Sequence, residues 1–500
     1  MSLAFATGVA LSGTTSGCVE PNPDHCYNND GDDFCARKHP NWDAAYCSDN
    51  SCVAEPTEDG CHEQVPTGCW YCDGKTGSEC SDMIGDGDGD GDGDGDGDGE
   101  GDGDGEGDGD GEGDGDGDTG PDCTSSDECD GATPLCEAGS CVSCDAATEA
   151  TCADEYPDAS VCEASSGECV QCTVEDTNAC PANAPACEDN TCVPCSTHDQ
   201  CPGSACELEL GTCFDSDVIH VDGDANCQAG DGSEGMPFCT IAEAVTTIGG
   251  GQEGVVVLHE ADSSYNESIT VANNGSKIAF IGAPGEAPVW RNGATASLRA
   301  DDGGTVFVHK IAFRGSTHSA LVASLGGKVY LSSSQVGGSQ NAGISVADGA
   351  LFLQNSFVGT SNFNTPAVTI SAGTFEIEYS TLGTTSGTVV SCGNGGANSS
   401  IRNSIVLTYG AGPETSCANA TLENVFLESD ANEVFDENSA WFVDFPNGDF
   451  HIAPDAPAAF TEPLSTFATW KTGDPKVDID GHARVAIDSE PDYAGADVPR

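Results

Sequence analysis

From about residue 215 the chain alternates apolar and polar positions in short runs separated by Gly, Ser and Asn, and the runs recur every 22 to 24 residues. Thr305-Val306-Phe307-Val308, Lys328-Val329-Tyr330-Leu331, Ala350-Leu351-Phe352-Leu353 and Thr374-Phe375-Glu376-Ile377 each follow a glycine. A second set begins at Ser334, Ser356, Ser380 and Ser404, and a third contains Leu321-Val322, Ile344-Ser345-Val346 and Val368-Thr369-Ile370. Three strands in a common period describe one coil of a parallel β-helix, whose inward side chains are buried only when coils stack. A β-sandwich is the competing arrangement, but it does not need three strand sets to share one period. The pattern predicts an all-β domain over 215–470 and a C-terminal tail over 471–500.

The first 213 residues read differently. They hold 25 of the 29 cysteines, and few large apolar residues separate them. From Cys123 the cysteines fall into four units of four: Cys123, Cys129, Cys136, Cys141; Cys144, Cys152, Cys162, Cys169; Cys172, Cys180, Cys187, Cys192; and Cys195, Cys201, Cys206, Cys213. Segments this short cannot bury enough surface to fold unaided, so disulfides staple them. The connectivity within a unit stays open. Paired CxxC elements also suit a zinc site, but here they straddle unit boundaries and the total is even. Cys26, Cys35, Cys47 and Cys52 repeat the layout more loosely within a cysteine-rich module at 19–84. Cys227 with Cys239, and Cys392 with Cys417, read as local staples. Thiols paired at this density place the chain in an oxidising, exported compartment.

Residues 85 to 118 alternate Gly with Asp or Glu, 34 residues carrying 17 negative charges. No core forms from such a segment, and 85–120 reads as a disordered acidic linker joining 19–84 to the four units at 121–214. An EF-hand is excluded, because strict alternation puts glycine where the twelfth position needs a carboxylate. The whole chain carries a net charge of -71, and no Lys or Arg occurs from residue 76 to residue 276. Nucleic acid and anionic headgroups both require clustered cations, so neither is an expected partner.

Leu3 to Leu11 is an apolar run too short to span a bilayer, followed by small residues up to Cys18. Thr15-Ser16-Gly17-Cys18 resembles the lipobox of bacterial lipoproteins. The resemblance implies that 1–18 is a signal peptide with lipobox, that Cys18 is the lipidation site, and that the mature chain is held on an outer membrane or cell surface by its lipid. A plain secretory signal, with Cys18 a free thiol, is the alternative.

Val218-Ile219-His220-Val221-Asp222, Pro237-Phe238-Cys239-Thr240-Ile241, Ala244-Val245 and Tyr265-Asn266-Glu267-Ser268-Ile269 resemble the opening of right-handed parallel β-helix proteins of the pectin-lyase-like superfamily. The resemblance implies a helical cap at about 239–248 over the first coil. Gly448-Asp449-Phe450-His451-Ile452 and Asp478-Ile479-Asp480-Gly481-His482-Ala483-Arg484, with Asp492 and Asp497, look like the closing motif of surface-exposed members.

Superfamily lyases pair calcium with an Arg or Lys base, and its hydrolases use paired aspartates. Arg291, Arg299, Lys310, Arg314, Lys328 and Arg402 are the available bases, and Asp301-Asp302 is an adjacent acidic pair that the following Gly303-Gly304 marks as a turn. The NTD and HG signatures of polygalacturonases are unmatched: Asn364-Thr365 precedes Pro366, and no His-Gly occurs. His309 and His318 stand alone. No catalytic or metal-binding set assembles. Asp222-Gly223-Asp224 and Asp478-Ile479-Asp480 have carboxylates spaced to ligate structural calcium, with ordinary polar turns as the simpler reading, and no other cofactor is expected. The expectation is a noncatalytic, lipid-anchored surface protein whose β-helix contacts a polysaccharide, a cell-surface glycan or matrix. Alternatives are a polysaccharide lyase or hydrolase on the same β-helix, and a structural envelope spacer.

Overall fold

A computed structural model describes residues 123–499, apart from 130, 146–148, 174–178, 225–229, 316, 361–364, 410–411, 432–434 and 436–438, together with the backbone of 46–47 and 52–53. Cys18, the acidic linker, Cys227 and most of 19–84 lie outside the described residues. The chain divides into two units, 1–115 and 116–500. In the first, Tyr46–Cys47 pairs antiparallel with Cys52–Val53, setting Cys47 opposite Cys52.

The second unit opens with the four cysteine repeats. In each, a short hairpin sets the third and fourth cysteines directly opposite each other, as with Cys136 and Cys141, or Cys187 and Cys192. The first cysteine then bonds the third and the second bonds the fourth: Cys123–Cys136 with Cys129–Cys141, Cys144–Cys162 with Cys152–Cys169, Cys172–Cys187 with Cys180–Cys192, and Cys195–Cys206 with Cys201–Cys213. The residue before each third cysteine (Leu135, Val161, Ala186, Ala205) is buried. That is nearly the whole apolar core of a repeat. Closing a loop of about 15 residues contributes about 3 kcal/mol, so the staples supply what the core cannot.

Downstream, the strands stack into three parallel ladders. The first runs through Glu253–Leu258, Lys277–Gly282, Thr305–His309, Lys328–Ser332 and on to Thr421–Glu423. The second joins Val289–Trp290, Ala312–Arg314, Gln335–Ser339, Phe357–Thr360, Thr381–Thr384 and Ile405–Thr408. The third runs from Ile269–Val271 to Val390–Cys392. In two coils the third and first ladders share one unbroken strand, Ile344–Gln354 and Val368–Glu378, so the turn expected between them is a shift of register rather than a break. Val306, Val308, Val329, Leu331, Leu351, Leu353, Phe375 and Ile377 point inward and are buried. Each such side chain contributes roughly 1.5–3 kcal/mol.

The recurring serine has a definite task. At the corner between first and second ladders, Ser333, Asn355, Tyr379 and Asn403 adopt positive φ, between 43° and 52°. Each is followed by a buried serine: Ser334, Ser356, Ser380 or Ser404. Each hydroxyl accepts an N–H from the coil below, Ser334 to Ser356 and Ser356 to Ser380 at 3.1–3.2 Å, and donates to the carbonyl two residues back. A left-handed corner leaves a buried N–H without a ladder partner, and the stacked serines satisfy it.

The open lower end of the solenoid is covered by α1, Ile241–Ile248, whose Ile241 and Ala244 are buried on the first coil. Thr240 caps it, accepting the Glu243 N–H at 3.2 Å, and the Glu267 carboxylate accepts the N–H groups of Ile241 and Ala242 at 2.9 Å. Cys392 bonds Cys417 in the last coils, and Cys239 is disulfide-bonded.

Beyond Glu423 the chain folds back along the second ladder. A hairpin, Phe442–Asp444 with Asp449–Ile452, and the helix α2, Ala458–Leu464, bring Phe435, Trp441, Phe445, Phe450 and Phe460 against the outward Phe357, Tyr379 and Leu407. Gly383 permits this approach: a Cβ there would lie 2.5 Å from the Phe445 ring. Residues 471–499 complete the same flank. Asp478 accepts the N–H groups of Asp480 and His482 at 3.0 and 2.8 Å, Asp497 accepts that of Ile452 at 2.6 Å, and the buried Arg484 donates to the carbonyls of Tyr493 and Gly495. The closing motif is a polar clasp. Its acidic residues are occupied within the protein.

Candidate functional site

Outward side chains of the first ladder form columns, because parallel strands in register place like positions one above another about 4.8 Å apart. One column reads Phe307, Tyr330, Phe352, Glu376; its neighbour reads His309, Ser332, Gln354, Glu378, Arg402. The aromatic rings stack, Phe307 on Tyr330 at 4.9 Å and Tyr330 on Phe352 at 4.2 Å with planes 4° apart.

The fourth cysteine repeat lies over the lower part of these columns. Phe214 meets Phe307 edge-on at 5.7 Å, and Ala205 is buried with them. Charge fixes the contact. Lys310 reaches Asp199 at 2.8 Å, Lys328 reaches Glu209 at 2.5 Å, and Lys277 lies 3.2 Å from the buried Glu207. Lys476 of the C-terminal flank bonds Glu188 of the third repeat at 3.0 Å. Four of the chain's seven lysines therefore join the acidic repeats to the solenoid and its flank.

Two histidines meet inside this contact. His198 and His309 are both buried, with ring centres 5.2 Å apart. His198 Nδ1 accepts the Cys206 N–H at 3.2 Å, which leaves the proton of the neutral ring on Nε2. Burial first, then the neighbouring His309, holds His198 well below the ordinary imidazole range, and burial does the same to His309. Asp199 is held well below the ordinary carboxylate range, by His309 first and then, against burial, by Lys310.

Past the edge of the fourth repeat the columns open into a cleft of two joined chambers. The larger, about 660 Å³, has His309, Asn355, Trp470 and Asp488 among its walls. The smaller, about 250 Å³, contains Tyr330, Phe352, Glu376 and Glu378. They share Ser196, Leu208, Ser332 and Gln354. The solenoid supplies the floor, the third and fourth repeats one wall, and the C-terminal flank the other. At its far end Arg402 bonds Glu378 at 2.9 Å and Asp474 at 2.5 and 2.8 Å. Its guanidinium is held above the usual range, burial being outweighed by these two carboxylates. Glu376 is pushed up by partial burial and then by the charge of Glu378. Chemically the cleft presents an aromatic surface, two carboxylates on one strand face, and side-chain amides. Aromatic walls with a few polar groups are the usual makeup of ligand pockets, and the volume falls within their range.

The bases named from the sequence do not converge. Arg299 bonds Ser324 at 3.1 Å, Arg291 donates to the Gly315 carbonyl, Arg314 bonds Gln335, and Lys310, Lys328 and Arg402 are ion-paired as above. Asp301 accepts the Asp302 N–H at 3.0 Å, and Asp302 has φ 47°, the geometry of a turn. Asp222 and Asp224 border an open hollow, where they accept the N–H groups of Asp224 and Asp262. His309, which stands alone in the sequence, is partnered by residues about 110 positions earlier. The cleft had one sequence signal. The third position of the four aligned segments reads Phe, Tyr, Phe, Glu, an outward column that becomes visible once the register is known.

A family model described as a family of unknown function, DUF8331, matches residues 110–219, which span the four cysteine repeats. No curated protein and no solved structure matches the chain.

Proposed function

We propose that the chain is a noncatalytic surface-display lipoprotein. It is exported by the signal at 1–18, held by acyl chains on Cys18 at the outer membrane or cell surface, and extended by the acidic linker and cysteine repeats. Its head is a β-helix of the pectin-lyase-like kind that contacts a polysaccharide or cell-surface glycan through the cleft. The supporting observation is the Tyr330–Phe352 stack leading to Glu376 and Glu378 inside a cleft of ligand size. Sugar rings present apolar C–H faces to aromatics and hydroxyls to carboxylates and amides. None of the described helices is long and apolar enough to cross a membrane, and two acyl chains suffice for stable attachment.

Binding of the full chain to a panel of polysaccharides, lost on Phe352→Ala with an unchanged melting temperature, tests the contact. Loss of a fatty-acid label on Cys18→Ser tests the anchor, and label retained by that variant excludes it. A second reading, a carbohydrate lyase or hydrolase, is favoured by Glu376 and Glu378, an upward-shifted acid beside an Arg-bound carboxylate, since glycoside hydrolysis needs such a pair. New reducing ends or unsaturated product that disappear on Glu376→Gln would establish it. If no glycan or cell surface is bound, the structural spacer is the remaining class.

A further inference from the structure

The charged groups that line the cleft are almost all carboxylates. Five carboxylates line the larger chamber and two, Glu376 and Glu378, the smaller, against a single lysine. That lysine, Lys476, is held by Glu188 at 3.0 Å, and the guanidinium at the cleft's end, Arg402, is shared between Glu378 and Asp474. Burial holds His309 below the ordinary imidazole range. Among the described residues the cleft therefore has no uncommitted lysine or arginine with which to receive an anionic sugar.

Glu376 sits in register with Phe352 on the next strand, and among the described residues no hydrogen bond or ion pair engages its carboxylate.

We propose that the cleft selects amino-bearing glycans, with a sugar face on Phe352 and its ammonium group at Glu376, and rejects uronate polymers. This rests on the glycan-binding reading above and specifies its ligand class. Positive charge fits the carboxylates of the cleft. A uronate chain meets like charge along the whole cleft, where juxtaposed like charges oppose binding.

The test is calorimetric titration of the full chain, with its disulfides intact, against three probes of equal length: a β-1,4-linked glucosamine hexamer, its fully N-acetylated form and a galacturonate hexamer. The glucosamine hexamer is expected to bind at least tenfold more tightly than the N-acetylated form, with no measurable galacturonate binding. Glu376→Gln should remove that preference while leaving the weaker N-acetylated binding in place, and Phe352→Ala should weaken both. Galacturonate binding equal to or tighter than glucosamine overturns the inference and leaves the glycan reading standing. Failure of all three, with polysaccharide panels also negative, overturns the glycan reading itself. A preference for glucosamine that survives Glu376→Gln and Phe352→Ala overturns the assignment to this cleft.

Discussion

The guanidinium of Arg484 lies 4.6 Å from the ring centre of Tyr379, so a side chain from the last turns of the polypeptide rests on an outward aromatic of the solenoid. Arg484 is buried, with Asp492 3.6 Å away, and its two donated carbonyl bonds tie the flank together. Removing one member of a buried charge pair strands the other, at about 3–5 kcal/mol. Arg484→Met should therefore destabilise the flank by about 3 kcal/mol in urea denaturation. Tyr379→Leu, which keeps the ion pair but removes the cation–π contact and part of a buried ring, should cost less, about 2 kcal/mol. Equal effects would show that the stacking, and not the charge pair, holds the clasp.

His451 predicts an alkaline weakness in the same flank. Burial opposes its charge, but hydrogen bonds to Asp480 and Asp449 outweigh burial and raise it to about 9. A histidine raised on folding contributes stability that is complete below its unfolded value near 6.5 and is lost as pH rises through 9. Stability should fall by about 1 kcal/mol between pH 6.5 and 9, a value reduced for the part-exposed site. The slope should vanish in His451→Gln. A melting temperature flat across that window in the parent chain would refute the assignment.

Contact between the fourth repeat and the solenoid should fail in the opposite direction. His198 and His309 are lowered on folding, so their contribution is present above pH 6.5 and is lost as pH falls below it. Asp199, also lowered, loses its share further into acid. Hydrogen exchange at Cys206 and Phe214, corrected for its intrinsic pH dependence, should lose roughly tenfold protection between pH 7 and 5. His198→Asn, which keeps an acceptor for the Cys206 N–H, should reduce that loss. Unchanged protection would mean that the disulfides alone order these residues.

Each serine of the inner corner should be worth more than an average hydrogen bond. Ser356→Ala leaves the Ser334 N–H buried without an acceptor, at about 1–3 kcal/mol. Ser356→Thr keeps the hydroxyl, but its extra methyl must fit a fully packed corner, so it should also destabilise. Chemical denaturation compares the two; an alanine variant as stable as the parent would mean that water enters the corner.

The solenoid was legible because its inward positions obey one rule: Val306, Val329, Leu351 and Phe375 repeat with the coil, and stacking admits nothing else there. The helix Ile241–Ile248 was legible through its resemblance, and Thr240 with Glu243 gives it a local reason. The cleft was not legible, because its walls come from three distant stretches. Asp199 and Lys310 are 111 residues apart, and Arg402 and Asp474 are 72 apart. Nothing in the local pattern of either partner specifies the other. Disulfide connectivity was hidden too: cysteine spacing allows three pairings per repeat, and nothing in it singles out the first-to-third and second-to-fourth bonds that the structure shows.

The placement of the lysines has a further consequence, for proteolysis. Enzymes that cleave after Lys or Arg find no site from residue 76 to residue 276. The next site, Lys277, is surrounded by Glu207, Glu209 and Glu253 within 4 Å, on a strand bonded on both sides. The cation-free repeats thus carry no trypsin-type cleavage point of their own, and the first one beyond them is sealed by the repeat that docks there. Cleavage by such enzymes after Lys75 would leave the four repeats and the solenoid joined as one piece, with the cleft between them intact.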